Sequence, residues 1–370
     1  MLKRVFCGAA ALVLLAGCGS KKSTDAVSHG GKMLELKYAQ QFSAEYIDND
    51  CVLVTIADDK YVIVPENGEA PKSAGDAVVI QQPVDNVYNA ASSAMDLIDG
   101  ADALDDVTMT STKYDDWSLQ NIRDRIDSGD ITYIGKYSAP DYEALLEEEC
   151  GLAIESTMIY HSPEVKEQIE ALGIPVLVER SSYEKDPLGR MEWIKLYGIL
   201  FNCEEQAQKL FDNKTKQIEE ILTEENTGRK AAFFYINSAG GVVVRKPSDY
   251  VPEMMRMAGG GYIFTNDDLK TDENALSSMT IQPESFYEKA CDADIIFYNS
   301  DITGGVASID DIIKKYPLLR DFKAVKNGEV WCTEKNVFQQ STGAADMIKE
   351  FHSVFKGEAD DKMNFMYRLE

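Results

Sequence analysis

Apolar positions run along this chain in two rhythms that take turns. From residue 77 onward, short apolar runs alternate with stretches in which apolar residues recur every three or four positions. The order is strand AVVIQ, helix NAASSAMDLIDG, strand VTMTS, helix SLQNIRDRIDSG, strand TYIG, helix DYEALLEEE, strand GLAIES, helix SPEVKEQIEALG, strand PVLVE. Apolar strands separated by amphipathic helices predict a parallel α/β layer. Before this region, Phe42 and Tyr46, Cys51–Ile56 and Tyr61–Val64 flank the turn residues Asp58, Asp59 and Lys60, which predicts an N-terminal β-hairpin. Asp186 then Pro187 marks a helix start, an acid at the N-cap and proline at the first position. Leu188, Met191, Ile194, Tyr197 and Phe201 keep helical spacing, and the helical pattern runs to about Leu222 with a break near Asn202.

A second α/β region restarts at AAFFYI (231–236). It continues through helix DYVPEMMRMAGG, strand YIF, helix QPESFYEKACD, strand ADIIFYNS, helix IDDIIKKYPLL, strand EVWCTE and a helix at about 343–355. The halves echo each other. Pro140-Asp141-Tyr142-Glu143 leads through a helix to Cys150 and LAIES, and Pro283-Glu284-Ser285-Phe286 leads to Cys291 and DIIFYNS. Two related lobes joined by a long helix are therefore expected.

The first residues follow other rules. Lys3 and Arg4 precede an apolar run from Val5 to Ala16, the pattern of a secretory signal peptide and too short for a membrane span. Leu15-Ala16-Gly17-Cys18 resembles the bacterial lipobox, which implies cleavage before Cys18, lipidation of its thiol and acylation of the new amino terminus. More than one acyl chain on a residue anchors it durably to the outer face of the cell membrane. The domain scheme that follows is signal peptide 1–17, lipidated tether 18–37, N-terminal lobe 38–186, bridging helix region 187–225, and C-terminal lobe with its terminal helix 226–370.

Charge narrows the partners. The chain has 370 residues, with 63 Asp and Glu against 37 Lys and Arg, a formal charge of −26. Loss of residues 1–17 removes Lys3 and Arg4 but no acid, leaving −28. Nucleic acid is excluded as partner, because phosphate binding needs clustered cations. Of seven Cys, five remain beyond Cys7 and Cys18, with no C-x-x-C pair, so neither a disulfide framework nor a zinc site is indicated.

In an α/β lobe, ligands meet the loops at the carboxyl ends of the strands. That selects Ser92 and Ser93, Lys113 to Trp117, Tyr137, Tyr160 and His161 in the first lobe. In the second it selects Asn237 to Gly241, Arg245, Tyr262 and Ser300 to Gly304. Trp117 in a polar loop is placed either to stack on a flat ligand or to pack beneath the loop. Tyr160 and His161 are suited to touching a metal macrocycle or to capping the next helix. Ser238 to Gly241 either leaves amides open to an anion or forms a hairpin turn. Arg245 is a partner for an anionic group, and Arg180 and Arg190 are expected in structural ion pairs.

The stretches NVYNAASSAMDLIDG, ALLEEECGLAIES, ERSSYEKDPLGRMEWIKLYG, MAGGGYIF and TIQPESFYEKACDADIIFYNS, in this order over roughly 80–355, resemble the substrate-binding lipoproteins of ABC importers for iron-siderophores, haem and cobalamin. The resemblance implies two Rossmann-like lobes joined by one rigid α-helix, with the 38–75 hairpin an N-terminal addition. It implies a monomer with no catalytic residues, no bound cofactor and no metal site of its own. Its partners would be a small metal-chelate ligand in the interlobe cleft and an ABC permease with its ATPase. It also implies that Glu143 and Glu284 dock on the permease, against the competing reason that acids are favoured at helix N-termini. An enzyme is disfavoured by three His and by the absence of G-x-S-x-G, H-E-x-x-H and phosphate-loop motifs. A surface sensor or adhesin on the same fold remains the rival.

Overall fold

The structure, a computed structural model, describes residues 31–269, 277–300, 302 and 305–370. The signal peptide, Cys18 and most of the tether lie outside the described residues, as do Asp301, Thr303 and Gly304.

The N-terminal addition is larger than a hairpin. Strands β1 (Lys32–Met33), β2 (Phe42–Tyr46), β3 (Val52–Ile56), β4 (Asp59–Val64) and β5 (Val78–Gln81) form one sheet in that order, antiparallel except for the parallel pair β4–β5. β5 is the AVVIQ run expected in the first lobe. One face of this sheet (Ala44, Val54, Ile56, Tyr61, Ile63, Ile80) joins the main core. Tyr61 Oη accepts from Val178 N–H at 3.2 Å, which ties the sheet to the first lobe.

The first lobe is a parallel sheet in the order β12-β11-β6-β7-β8. Its elements run β6 (Val87–Asn89), α1 (Ser92–Gly100), β7 (Val107–Thr110), α2 (Gln120–Ser128), β8 (Thr132–Tyr133), the hairpin β9 (Gly135–Lys136) and β10 (Ala139–Pro140), α3 (Tyr142–Glu147), β11 (Ala153–Ser156), α4 (Pro163–Ala171) and β12 (Val176–Glu179).

The connection is not one long helix. It is α5 (Pro187–Glu192), α6 (Ile194–Leu200) and α7 (Glu204–Lys216), interrupted at Asn202, whose φ of 57° ends the helical path. The carbonyls freed near that end are not orphaned: Gln82 Nε2 donates to Ile199 O at 2.8 Å and Leu200 O at 3.1 Å. Asp186 caps α5 as the sequence implied, accepting from Leu188 and Gly189 N–H.

The second lobe comprises β13 (Lys230–Ile236), β14 (Val242–Arg245), α8 (Tyr250–Met257), β15 (Gly261–Tyr262), α9 (Asn266–Leu269), β16 (Ser278–Ile281), α10 (Pro283–Ala290), β17 (Ile295–Tyr298), α11 (Ile309–Lys315), α12 (Lys323–Lys326), β18 (Val330–Thr333), α13 (Ala344–Lys356) and β19 (Met366–Arg368). The sheet order is β16-β14-β13-β17-β18-β19, with β15 beside β13. Parallel pairs at its centre and antiparallel strands at both edges make it a mixed sheet.

One apolar core runs through both lobes, joining Leu97 and Ile98 of α1, Leu188 and Met191 of α5, Met254 of α8 and Ile348 and Phe351 of α13. A shared core resists wide hinge opening more than a single connecting helix would.

Residues 37–41 are pinned at this junction. The buried Glu192 carboxylate accepts from the N–H groups of Lys37, Tyr38 and Ala39, and Glu184 accepts from those of Gln40 and Gln41. Lys195 Nζ pairs with Glu192 at 2.8 Å and donates to Glu35 O, so the buried charge is both paired and fully hydrogen-bonded.

Candidate ligand-binding cleft

The loops past β6, β7, β11 and β12 in the first lobe, and past β13, β17 and β18 in the second, lie at the carboxyl ends of parallel strands, where an α/β sheet presents its crevice. The two sets meet at the lobe junction. Ser93, in the first turn of α1, faces Glu179 at the end of β12 (Oγ to Oε2 3.4 Å), and Glu179 also accepts from Ser181 N–H at 2.7 Å. From the second lobe, Ser341 Oγ donates to Ser93 O at 2.9 Å.

Three arginines lie on these elements. Arg190 donates to the carbonyls of Ser182 and Glu184 and stacks 3.5 Å from the ring centre of Tyr250 in the second lobe. Arg180 lies 4.5 Å from the ring centre of Tyr183, and its buried Nε has no hydrogen-bond partner among the described residues. Arg245 stands over Phe338 at 4.9 Å, 3.6 Å from Asp249. Among the described residues neither Arg180 nor Arg190 forms the expected ion pair: both guanidiniums rest on aromatic faces, and Arg190 also donates to carbonyls. Burial pushes the Glu179 and Asp249 carboxyls up, opposed by the charge of Arg190 for both and of Arg245 for Asp249.

Of the residues selected from sequence, Ser92, Ser93, Arg245 and Tyr262 belong to this junction, Tyr262 Oη donating to Arg245 O at 2.8 Å. Trp117 does not present a ring to any ligand. It is 1% exposed, and its Nε1 donates to Thr112 O, so it is a strut inside its own loop. Ser238 to Gly241 is a hairpin turn between β13 and β14, with Asn237 Oδ1 occupying the Ala239 and Gly241 N–H groups that an anion would need. Tyr137, in the β9–β10 turn, packs on the small core that α3 and α4 cover. Tyr160 and His161 are exposed on a 3-10 turn after β11, and among the described residues no cluster of His, Cys, Asp and Glu could hold a metal. Glu143 and Glu284 are exposed in the first turns of α3 and α10. Sequence reasoning missed Tyr250, Asp249 and Gln339. Only the Asp-Tyr pair opening α8 offered a signal, a helix cap at a lobe boundary.

Two α/β layers meeting across a charged and aromatic junction define a two-lobed ligand-binding protein. Residues 87–337, more than half of the chain, match the periplasmic binding protein family model, and the chain belongs to that family. The family is a non-enzymatic, extracytoplasmic class that supplies the substrate-binding component of ABC importers. An uncharacterized lipoprotein of Methanocaldococcus jannaschii is 27% identical over 66% of this chain, which spans 57% of that relative's length. A second lipoprotein of the same organism is 23% identical over 90% of this chain and 87% of its own. Among solved structures, a periplasmic haem-binding protein of Vibrio cholerae is similar with TM-score 0.58 and 17% identity, covering 72% of this chain and 97% of its own. The petrobactin-binding protein of Bacillus subtilis is similar at TM-score 0.58 and 16% identity, with coverage of 73% and 92%. The periplasmic vitamin B12 binding protein of Vibrio cholerae is similar at 0.52 and 14%, with coverage of 75% and 98%. At these identities the likeness is one of fold. No helix among the described residues is long and apolar enough to cross a membrane.

Proposed function

We propose that this chain is a lipid-anchored receptor, held by Cys18, that binds an anionic metal chelate of the ferric-siderophore or haem kind between its lobes and delivers it to an ABC permease. One observation carries the choice of ligand. In a chain with nearly two acids per cation, Arg180, Arg190 and Arg245 gather at the junction, and among the described residues the first two form no direct ion pair with a carboxylate. Arg190 already donates to the Ser182 and Glu184 carbonyls, so Arg180 and Arg245 are the cations offered to a ligand, and planar N–H forks suit carboxylate and catecholate oxygens. Tyr183, Tyr250 and Phe338 supply flat surfaces beside them, adapted to an aromatic ligand edge. Cobalamin, which carries no comparable array of anionic groups, suits this junction less well.

Calorimetric titration of the mature protein with ferric tris-catecholate, ferric citrate, haem and cyanocobalamin tests the reading. At least one anionic chelate is expected to bind, and Arg180→Gln with Arg245→Gln is expected to weaken it by about tenfold or more per arginine, the scale of a lost charge-assisted hydrogen bond. Absence of binding to all four would sink the ligand class.

A further inference from the structure

We infer that Gln339 is a positioning residue of the cleft: a clasp that holds the 112–118 loop of the first lobe against the second. Both ends of its side-chain amide are used across the lobes. Oε1 accepts from Ser118 N–H at 2.8 Å and from Ser118 Oγ at 2.6 Å, while Nε2 donates to Asp116 O at 2.8 Å. Both partners sit past the carboxyl ends of parallel strands, the loop after β7 and Gln339 after β18, so the clasp joins the cleft sides of the two sheets.

The loop that it holds is internally braced. Trp117 is buried with its Nε1 on Thr112 O, Asp116 N–H donates to Lys113 O at 3.0 Å, and Trp117 N–H to Tyr114 O at 3.2 Å. Such a loop moves as one piece, so a hold at Ser118 fixes all of it. The same segment makes two further polar links, one of them the part-buried Ser341 Oγ to Ser93 O at 2.9 Å. Thr342 N–H donates to the buried Asp96 at 2.7 Å, on α1 within the shared core. Gln339, Ser118 and Asp116 are instead half-buried or exposed, where water competes for each hydrogen bond and the net hold is small. The buried link is therefore the fixed point, and Gln339 is the part that can release. Its neighbour Phe338 lies under the Arg245 guanidinium, so release loosens one of the groups around a cleft arginine that Asp249 still pairs. A consequence for ligand retention rests on the reading proposed above; the clasp itself does not.

Amide hydrogen exchange on the ligand-free mature protein tests this. In Gln339→Ala the Ser118 amide is expected to exchange about tenfold faster or more, with the core amides of Ile154 and Phe297 unchanged. Gln339→Glu keeps the acceptor for Ser118 but loses the donor to Asp116, and intermediate protection is expected. Unchanged Ser118 exchange in Gln339→Ala overturns the clasp, and equal acceleration at Ile154 and Phe297 overturns its confinement to the loop. In a parallel arm, ferric tris-catecholate is expected to dissociate faster from Gln339→Ala. If no chelate binds the wild type, the ligand reading fails while the exchange data still decide the clasp.

Discussion

Glu155, near the end of β11, is fully buried, and neither carboxylate oxygen has a hydrogen-bond partner among the described residues. The nearby Tyr88 hydroxyl is likewise without one, and the electrostatic reach of Glu155 extends to Tyr88 and Tyr142. Burial pushes the Glu155 carboxyl from 4.5 up to about 8. Between those values the unfolded chain has released this proton and the folded chain keeps it, so stability falls as pH rises across the window. Glu155→Gln removes the ionisation. Its unfolding free energy in urea titrations is expected to match wild type near pH 4 and to exceed it increasingly toward pH 8, by several kcal/mol, since each pH unit of the shift is worth about 1.4 kcal/mol. A difference independent of pH would refute this. Residues such as this one are hard to read from sequence: an acid inside GLAIES looks like a strand edge until the covering helices are known. Trp117 and Arg180 show the same difficulty from two sides. A tryptophan among aspartates reads equally as a ligand platform or as packing and is buried by its own loop, while an arginine in an acidic chain reads as paired and instead rests on tyrosine.

At the scale of elements, periodicity located most strands and helices of both lobes in order, because each must bury one face whatever its neighbours are. What it could not assign was membership. β5 alternates as any half-buried strand does, and only its pairing with β4 places it in the N-terminal sheet. β6, three residues long, is unassigned by the pattern apart from Asn89, which falls in the predicted helix, whereas the expected break near Asn202 is found there. The MAGGGYIF motif has a packing reason. A Cβ at Gly260 would fall 2.2 Å from the Phe355 ring of α13, so the β15 approach and the terminal helix fit only around glycine. Gly260→Ala is expected to cost ~1–3 kcal/mol by overpacking, measured as a lower urea midpoint at unchanged slope. A neutral effect would mean that α13 yields there. Glu192→Ala is expected to cost more, roughly 3–5 kcal/mol, because three backbone N–H groups and Lys195 lose one buried anion. Limited proteolysis should then cut within the pinned segment 37–41 first, and earlier cleavage elsewhere would count against that segment's dependence on Glu192.

For the whole molecule, the acid excess matters most where it is not locally consumed. α3 and α10 each lead through a cysteine into a central parallel strand of its sheet, β11 between β12 and β6, β17 between β13 and β18. Glu143 and Glu284 thus hold equivalent places on the two lobes, each at a helix start on the cleft side. The helix dipole alone would favour an acid there. For α3 that need is already met, since Asp141 Oδ1 accepts from Glu143 N–H at 3.0 Å and Ala144 N–H at 3.2 Å. An exposed carboxylate with no task inside the fold is suited to an outside cation, and a pair placed one per lobe suits a partner that straddles the cleft. Glu147, Glu148 and Glu288 are also exposed and could replace a neutralised residue, so charge reversal is more decisive than truncation. Cells carrying Glu143→Lys with Glu284→Lys are expected to take up the ferric chelate at least about tenfold more slowly, the scale of lost charge pairs at a docking surface. Chelate affinity of the purified variant should stay within about twofold of wild type, because both positions lie outside the junction arginines. Unimpaired uptake would remove these two residues from the permease contact, and lost affinity would place them at the ligand instead.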